Sequence, residues 1–549
     1  MKVVMLFPAW TGAYGGLIRY FAKRSSTWPP LNLALLASIA EKHGHDVEII
    51  DGEVEAYSNE ELVEKTLSRK PDLIAMTATS PFFHINRAVA ELVKQEAPGV
   101  PVAIGGPHIT IMKEKAFVPA FDFAFVSEAE ESWPKLLEHY ERGKDISGIK
   151  GLIYRKTGHV VSTGQPDDIT DIDSLPLPAR HLLPMGQYKL GTLAGRLNFT
   201  SIQTMRGCPW KCIFCASEAL KTTSMRVRSP RSVVAEIQSI VDQFGIRHFY
   251  IVDDVMTLWR EHIFAICDLL DSQGLTVTFE GSTRANLVDD SLIGRLAKSG
   301  LIRLSFGLET VDSEMRKTMK KQVPLEHYVR ANAICNHHGV EALNSVMIGL
   351  PGETRETVQK TLKFLGNSRD VKQANFAIAV PYPGTEFHEM AVEGSHGIEL
   401  MTKDFSEYRR YGSAVTSVNG LSPEDLIDLQ NEGFVKIYSA PWRWRPMLKK
   451  QGLFSGLLLL LRVGRLTMKR FFPRFGRASA IPHFTSVNNE DSHNGNNPSK
   501  PSSSHQIHET LISVNDLTED RPTLIQVKRE RNPVAVGAGH HGTPHNPHF

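Results

Sequence analysis

Near-continuous apolar runs, short enough to be strands, alternate twice along this chain with amphipathic stretches long enough to be helices. In residues 1–150 the strand candidates are "KVVMLF", "DVEIID", "DLIAMTA", "PVAIGG" and "FDFAFV", separated by segments such as "LNLALLASIAEKHG" and "INRAVAELVKQEA". Strands that are apolar on both faces must be covered on both faces, so this pattern predicts a parallel sheet with helices on either side. Right-handed crossovers then make it doubly wound, with any ligand at the carboxyl ends of the strands. Those ends carry "PAWTGAYGG", "TATSP", "GGPHIT" and "SEAEE".

The alternation stops over 151–198, where "LPLPARHLLP" opposes helix and sheet alike, and we expect a linker there. It returns over 199–390 with "FTSIQTMRG", "RHFYIVDD", "VTFEGSTRA", "IRLSFGLE", "ALNSVMIGLPG" and "ANFAIAVPYPG". Six βα units in one segment predict a partial (βα)6 barrel of the TIM type, its site again at the C-terminal strand ends. Residues 391–480 read as a mostly helical region containing a basic, apolar segment. Residues 481–549, rich in Asn, Ser, Pro and His without apolar periodicity, read as a disordered tail.

The chain has 549 residues, a net charge of +2 and five cysteines. Such a balance offers no global attraction to nucleic acid, and none is expected as a partner. Few cysteines and no charged-then-apolar leader argue against a secreted disulfide framework and for a cytoplasmic protein. Three of the five cysteines fall together in "RGCPWKCIFC", as Cys208, Cys212 and Cys215. Structural zinc sites come as two pairs of ligands, and no second pair exists here. Cys267 and Cys335 sit in apolar helical contexts and read as ordinary buried thiols. Three thiolates on a four-iron cluster leave one iron open, as a catalytic cluster requires; a zinc site completed by a distant His is the competing reading.

The C-x3-C-x2-C loop after the first strand of a βα barrel, with an aromatic, Phe214, before its third cysteine, resembles the radical S-adenosylmethionine (SAM) superfamily. The preceding doubly wound domain and "LPLPAR" resemble its cobalamin-binding class. This resemblance implies a flavodoxin-like cobalamin-binding domain over 1–150 and a radical SAM barrel over 199–390. It implies three cofactors, a 4Fe-4S cluster on the three cysteines, SAM and cobalamin. "DDVMT" resembles the family's D-D-x-F-T, placing Asp253 and Asp254 at the SAM amine. "GSTRANL" implies Ser282 and Arg284 at its carboxylate and ribose, "FGLET" places Glu309 at the fourth strand end, and "MIGLPGET" sets Gly349 and Gly352 against adenine or ribose.

"SEAEES" resembles a G-E-G-E motif with Ser127 and Ala129 in place of glycines, keeping Glu128 and Glu130. The histidine motif D-x-H-x-x-G for cobalt is absent, and His43, His45 and His108 read as turn or surface residues. Corrin is then expected on the strand-end loops nearest Thr77, Ser80, Gly105, Gly106 and Glu128; an empty scaffold is the alternative.

The implied activity is methyl transfer to an unactivated carbon of a small-molecule or lipid-linked intermediate, through a 5'-deoxyadenosyl radical and methylcobalamin. Oxidative ring closure or rearrangement is a second expectation, and a sensor without turnover a third. A flavodoxin or ferredoxin is the expected electron donor. Pro441 to Arg477 carries ten Lys and Arg and no acid around "LFSGLLLLL", with Trp442, Trp444, Phe471 and Phe472 as anchors. This fits either a helix lying on an anionic membrane or a helix packed on the barrel.

Overall fold

The computed structural model describes residues 1–10, 26–192, 195–220, 225–438, 440 and 442–443. A seven-stranded sheet contains β1 (Lys2–Phe7), β2 (Asp46–Asp51), β3 (Leu73–Thr77), β4 (Val102–Gly105), β5 (Phe123–Phe125), β6 (Leu152–Lys156) and β7 (His159–Ser162), in the order β2-β1-β3-β4-β5-β6-β7. The first five strands are parallel, in the doubly wound order. On β1, Val4 and Leu6 enter the core on one face of the sheet, and Val3 and Met5 the core on the other. The continuous apolar run is therefore a strand covered twice.

The sheet does not stop at residue 150. β6 and β7 continue it antiparallel into the segment expected to be a linker. β7 is largely exposed, so it lacks the apolar signal that marks the buried strands. After it runs the Pro-rich connector, whose Ala179 N–H donates to Ala34 O in helix Leu31–Lys42. A hairpin follows, β8 (Lys189–Thr192) with β9 (Gly195–Asn198).

The second sheet holds β10 (Thr200–Ile202), then, beyond the small hairpin β11 (Met205–Arg206) and β12 (Arg226–Val227), β13 (His248–Ile251), β14 (Thr278–Thr283), β15 (Leu301–Glu309), β16 (Glu341–Ile348) and β17 (Gln373–Ile378). Its order, β10-β13-β14-β15-β16-β17, is that of the chain, all parallel, as a partial barrel requires. Alternation sorts its faces: on β15 Leu304, Phe306 and Leu308 are buried under the helices, while Arg303, Ser305 and Gly307 on the opposite face stay partly exposed. A two-stranded piece, β18 (Ile398–Leu400) with β19 (Thr416–Val418), and helix Pro423–Tyr438 complete this part.

The connector is fastened to the barrel by a buried charge. Arg180, 4% exposed, donates to Glu236 Oε1 at 2.6 Å and to Ser201 O at 2.8 Å. At the far end, Arg443 is also buried and donates to Leu365 O, Ser368 O, Val371 O and Ile437 O. Trp442, expected among the membrane anchors, carries the guanidinium groups of Arg369 and Arg443 over its ring at 4.9 and 4.1 Å, a contact within the chain. The rest of the basic segment and the predicted tail lie outside the described residues. Among those described, no helix is long and apolar enough to cross a membrane.

Candidate functional site: a cysteine loop facing a two-walled cleft

The three clustered cysteines lie on the loop that joins β11 to β12, and all three are partly exposed free thiols. Ile213, at the middle of the loop, is tied from both sides: its N–H donates to Met319 O at 3.3 Å, and its carbonyl accepts from Phe387 N at 3.0 Å. Burial pushes the Cys208 and Cys212 thiols up. Asp254 adds to this at Cys208, whereas Lys321 and Arg284 oppose it at Cys212. The Arg284 guanidinium lies 4.2 Å from the Trp210 ring centre, with Nη1 4.0 Å from Cys212 Sγ. Cys267 and Cys335 are fully buried in helices Arg260–Ser272 and Leu325–His337, as expected.

Three soft sulfur donors on one loop, with two cations at one of them and the other two thiols sealed in the core, fit an iron–sulfur cluster with an open iron. A cation beside a thiolate offsets part of the negative charge that such a cluster carries.

The strand-end residues divide into two groups. Asp254 lines the cleft described below, and burial raises its carboxyl above the usual range. Asp253, its neighbour, is turned away. Its Oδ1 accepts from Thr204 N at 2.7 Å and Met205 N at 3.1 Å, and its Oδ2 from Thr204 Oγ1. It fastens the approach to the cysteine loop, and burial pushes it up to about 6.

Ser282 Oγ lies 3.4 Å from the Tyr250 hydroxyl, and Arg284 is at the thiols as described. Glu309, expected at a cofactor, is instead held by Lys321 Nζ at 2.7 Å, and both side chains are buried. That pair occupies the space above Gly307, where a Cβ would fall inside Nζ and Oε1. Gly349 has φ +92°, and its N–H donates to Glu353 Oε2 at 2.6 Å.

A cleft of about 540 Å³ opens between these strand ends and those of the first sheet. Its walls come from both domains: Thr77, Gly105 and Gly106 from the first sheet face Gln203, Gly207 and Asp254 of the barrel. The connector supplies Leu175, Pro176, Leu177 and Pro178, a contribution that its prolines did not announce. At Gly106 (φ +98°) a Cβ would sit 2.6 Å from Thr77 Oγ1 and 2.8 Å from Ala78 O. The glycine therefore permits both the turn and the close approach of two strand ends. An apolar, two-walled cleft with bare glycine backbone on one side fits a large planar cofactor lying on the strand ends.

Ser80 is not among the lining residues; its Oγ meets His108 Nδ1 at 3.0 Å. His108 is 2% exposed, between Phe83 and Phe405, and burial lowers its pKa to about 4. His45 is buried too. The reading of His108 as a turn or surface residue is thereby corrected, its ring being enclosed by Phe83 and Phe405, whereas His45 does lie in the turn between helix Leu31–Lys42 and β2 but is buried there. His43 sits at the end of helix Leu31–Lys42, its Nδ1 2.8 Å from Ile39 O.

Glu128, expected beside a corrin, does border the cleft, but both its oxygens are engaged. Oε1 lies 2.9 Å from Arg206 Nη1, and Oε2 lies 2.6 Å from Arg226 Nη1. Burial raises its carboxyl and the two arginines more than reverse this, so its pKa is lowered. Ser127, in place of the motif's first glycine, adopts φ +65°. The backbone that glycine would favour is thus retained without it.

A model of the radical SAM superfamily matches residues 202–365, and one of the B12 binding domain matches residues 19–137. A protein of Pyrococcus horikoshii named as an uncharacterized methyltransferase is 29% identical over 443 residues, 80% of this chain and 93% of the relative. The anaerobic magnesium-protoporphyrin IX monomethyl ester cyclase of Rubrivivax gelatinosus is 26% identical over 437 residues, 78% and 76% of the two chains. Among solved structures, the radical SAM methyltransferase TsrM of Kitasatospora setae, with cobalamin and a [4Fe-4S] cluster bound, superposes with a TM-score of 0.61 at 16% identity. It covers 80% of this chain and 88% of its own.

Proposed function

Because the chain belongs to the B12-dependent radical SAM family, whose cofactors are a 4Fe-4S cluster, SAM and cobalamin, we propose that it transfers a methyl group to an unactivated carbon of a small-molecule substrate. A carbon without an acidic hydrogen gives a general base nothing to remove, so the hard step belongs to cofactors. When bound, these supply hydrogen-atom abstraction and a transferable methyl group.

The observation that carries the reading is the shared cleft. Gly207 and Ser217 of the cysteine loop border the same space as Thr77, Gly105 and Gly106 of the first sheet. In this proposal Cys208, Cys212 and Cys215 hold the cluster. Asp254, Ser282, Arg284 and Gly349 receive SAM, while Asp253 and Glu309 hold backbone and Lys321 in place around it. Thr77, Gly105 and Gly106 support the corrin, and Leu175 to Pro178 keep water from that side. A flavodoxin or ferredoxin supplies electrons, the chain works in the cytoplasm, and the segment 444–477 touches a membrane surface when the substrate is lipid-linked.

The test is the metal and corrin content of anaerobically purified protein, followed by reduction with SAM carrying a CD3 group. Four irons, one corrin, 5'-deoxyadenosine and a labelled methyl on the corrin are expected. Zinc in place of iron would overturn the proposal, and bound cofactors without deoxyadenosine would make the chain a sensor. The cyclase relative supports a second reading, ring formation without methyl transfer, in which deoxyadenosine forms but no product carries the label.

A further inference from the structure

The loop that carries the three cysteines is closed at its base by β11 and β12, and the two residues at that base, Arg206 and Arg226, are paired in register. Both are held by acids from the first sheet's domain. Glu128 takes one arginine on each oxygen, and Arg206 Nη2 also meets Glu130 Oε1 at 2.8 Å. Arg206 Nε donates to Gln203 Oε1, and Arg226 Nη1 to Ile169 O, so the guanidinium planes are fixed. The side chains of Arg206, Arg226, Glu128 and Glu130 are 13%, 6%, 21% and 8% exposed. Glu131, next in the chain, instead makes an ordinary surface pair with Lys135, both more than half exposed.

The backbone that presents Glu128 is strained. Ser127 sits at φ +65° with its N–H held by Thr110 Oγ1 at 2.9 Å. A side-chain-bearing residue persists there only where its surroundings over-determine it.

We infer that Glu128 and Glu130 are positioning residues for the cysteine loop, clamping its base so that the placement of the thiols depends on the first domain as well as on the barrel. Glu128 is in this respect not a corrin contact, since its two oxygens are already committed to the two sides of one hairpin. The inference rests on the reading of the loop as the cluster site, yet the clamp can be tested without any cluster.

The test uses the full chain, metal-free and after anaerobic reconstitution, as wild type, Glu128→Gln, Arg226→Lys and the control Glu131→Gln. Amide hydrogen exchange of the segment 207–220 in metal-free protein is read first. Exchange at least tenfold faster in Glu128→Gln and Arg226→Lys, with Glu131→Gln unchanged and the first sheet still protected, supports the clamp. Unchanged exchange in both variants overturns it. On reconstituted protein, the change that SAM induces in the electron paramagnetic resonance spectrum of the reduced cluster should weaken in the same two variants, with hydroxocobalamin affinity kept within twofold. Lost hydroxocobalamin binding with an unaltered loop would overturn the inference and make Glu128 a corrin contact. Should Glu128→Gln fail to fold, Arg226→Lys, which keeps the charge and loses the paired geometry, decides alone. A chain that proves to hold zinc would sink the functional proposal while leaving the exchange result standing.

Discussion

Replacing Lys321 by Met removes one partner of a buried pair whose side chains are only 11% and 7% exposed. The stranded Glu309 carboxylate keeps its desolvation and loses its counter-charge, which costs about 3–5 kcal/mol. Met fills most of the stem's volume, so little of that loss comes from a cavity. In Lys321→Met/Glu309→Gln no charge remains to be buried, and the cost should fall to within ~1 kcal/mol of wild type, well below the sum of the two single variants. If roughly 200 barrel residues unfold together, the unfolding entropy is about 0.4 kcal/mol/K, so the single variant should lower Tm by roughly 7–12 °C.

Scanning calorimetry of the metal-free protein measures all four corners of the cycle. Gly307→Ala is an independent check, because its Cβ pushes apart the two charged atoms while removing neither charge. It should cost about 1–3 kcal/mol in the wild-type background and less beside Lys321→Met/Glu309→Gln, where overpacking remains but no ion pair is parted. A single variant that costs under ~1 kcal/mol, with additive effects in the double, would refute the account of Glu309 as a partner of Lys321.

Other consequences are testable by the same means. Complete burial pushes Glu353 up to about 7, with the N–H groups of Gly349 and Leu350 pulling the other way. The folded state then binds this proton more tightly than the unfolded chain, whose carboxyl titrates near 4.5. Its contribution favours folding increasingly as pH falls from about 7 toward 4.5 and is lost as pH rises through 7, by at most ~3 kcal/mol. Glu353→Gln should flatten that part of the Tm-against-pH curve, and parallel curves would refute it. Ser127→Gly relieves the left-handed strain of about 1–2 kcal/mol and adds about 0.4–1 kcal/mol of unfolded-state entropy. A net gain of ~0.5–1 kcal/mol in denaturant unfolding is expected, and a loss would contradict the strain. Arg180→Ala leaves Glu236 to Arg228 alone and should cost about 3 kcal/mol, with faster proteolytic cleavage in the connector as the local readout.

The doubly wound sheet and the barrel were legible because their strands are buried and their helices periodic. β7 was not, since a largely exposed antiparallel edge has neither signal, and β6, though buried over Leu152–Tyr154, is a short run with no helix after it to mark a βα unit. The cysteines stood out by spacing, Asp254 by the likeness of "DDVMT" to a family motif, and Gly106 by its place at a strand end. The roles of Asp253, Glu309 and Glu128 escaped because each is decided by a distant partner. Thr204 lies 49 residues from Asp253, Lys321 lies 12 from Glu309, and the arginines lie 78 and 98 from Glu128. One sequence shows a carboxylate but not what neutralises it. The connector's share in the cleft was hidden for a related reason: proline excludes regular structure and is silent about what irregular backbone lies against.

The pairing of Arg206 with Arg226 bears on the order of events during synthesis. Like charges directly opposite one another destabilise a two-stranded ribbon. Until the acidic loop of the first sheet is in place, this hairpin is frustrated by its own guanidinium groups and has little reason to close. The first sheet emerges earlier and is complete before β12 is made, since domains fold N-terminal first. The carboxylates that offset this repulsion therefore already stand on a folded neighbour when the second arginine is made.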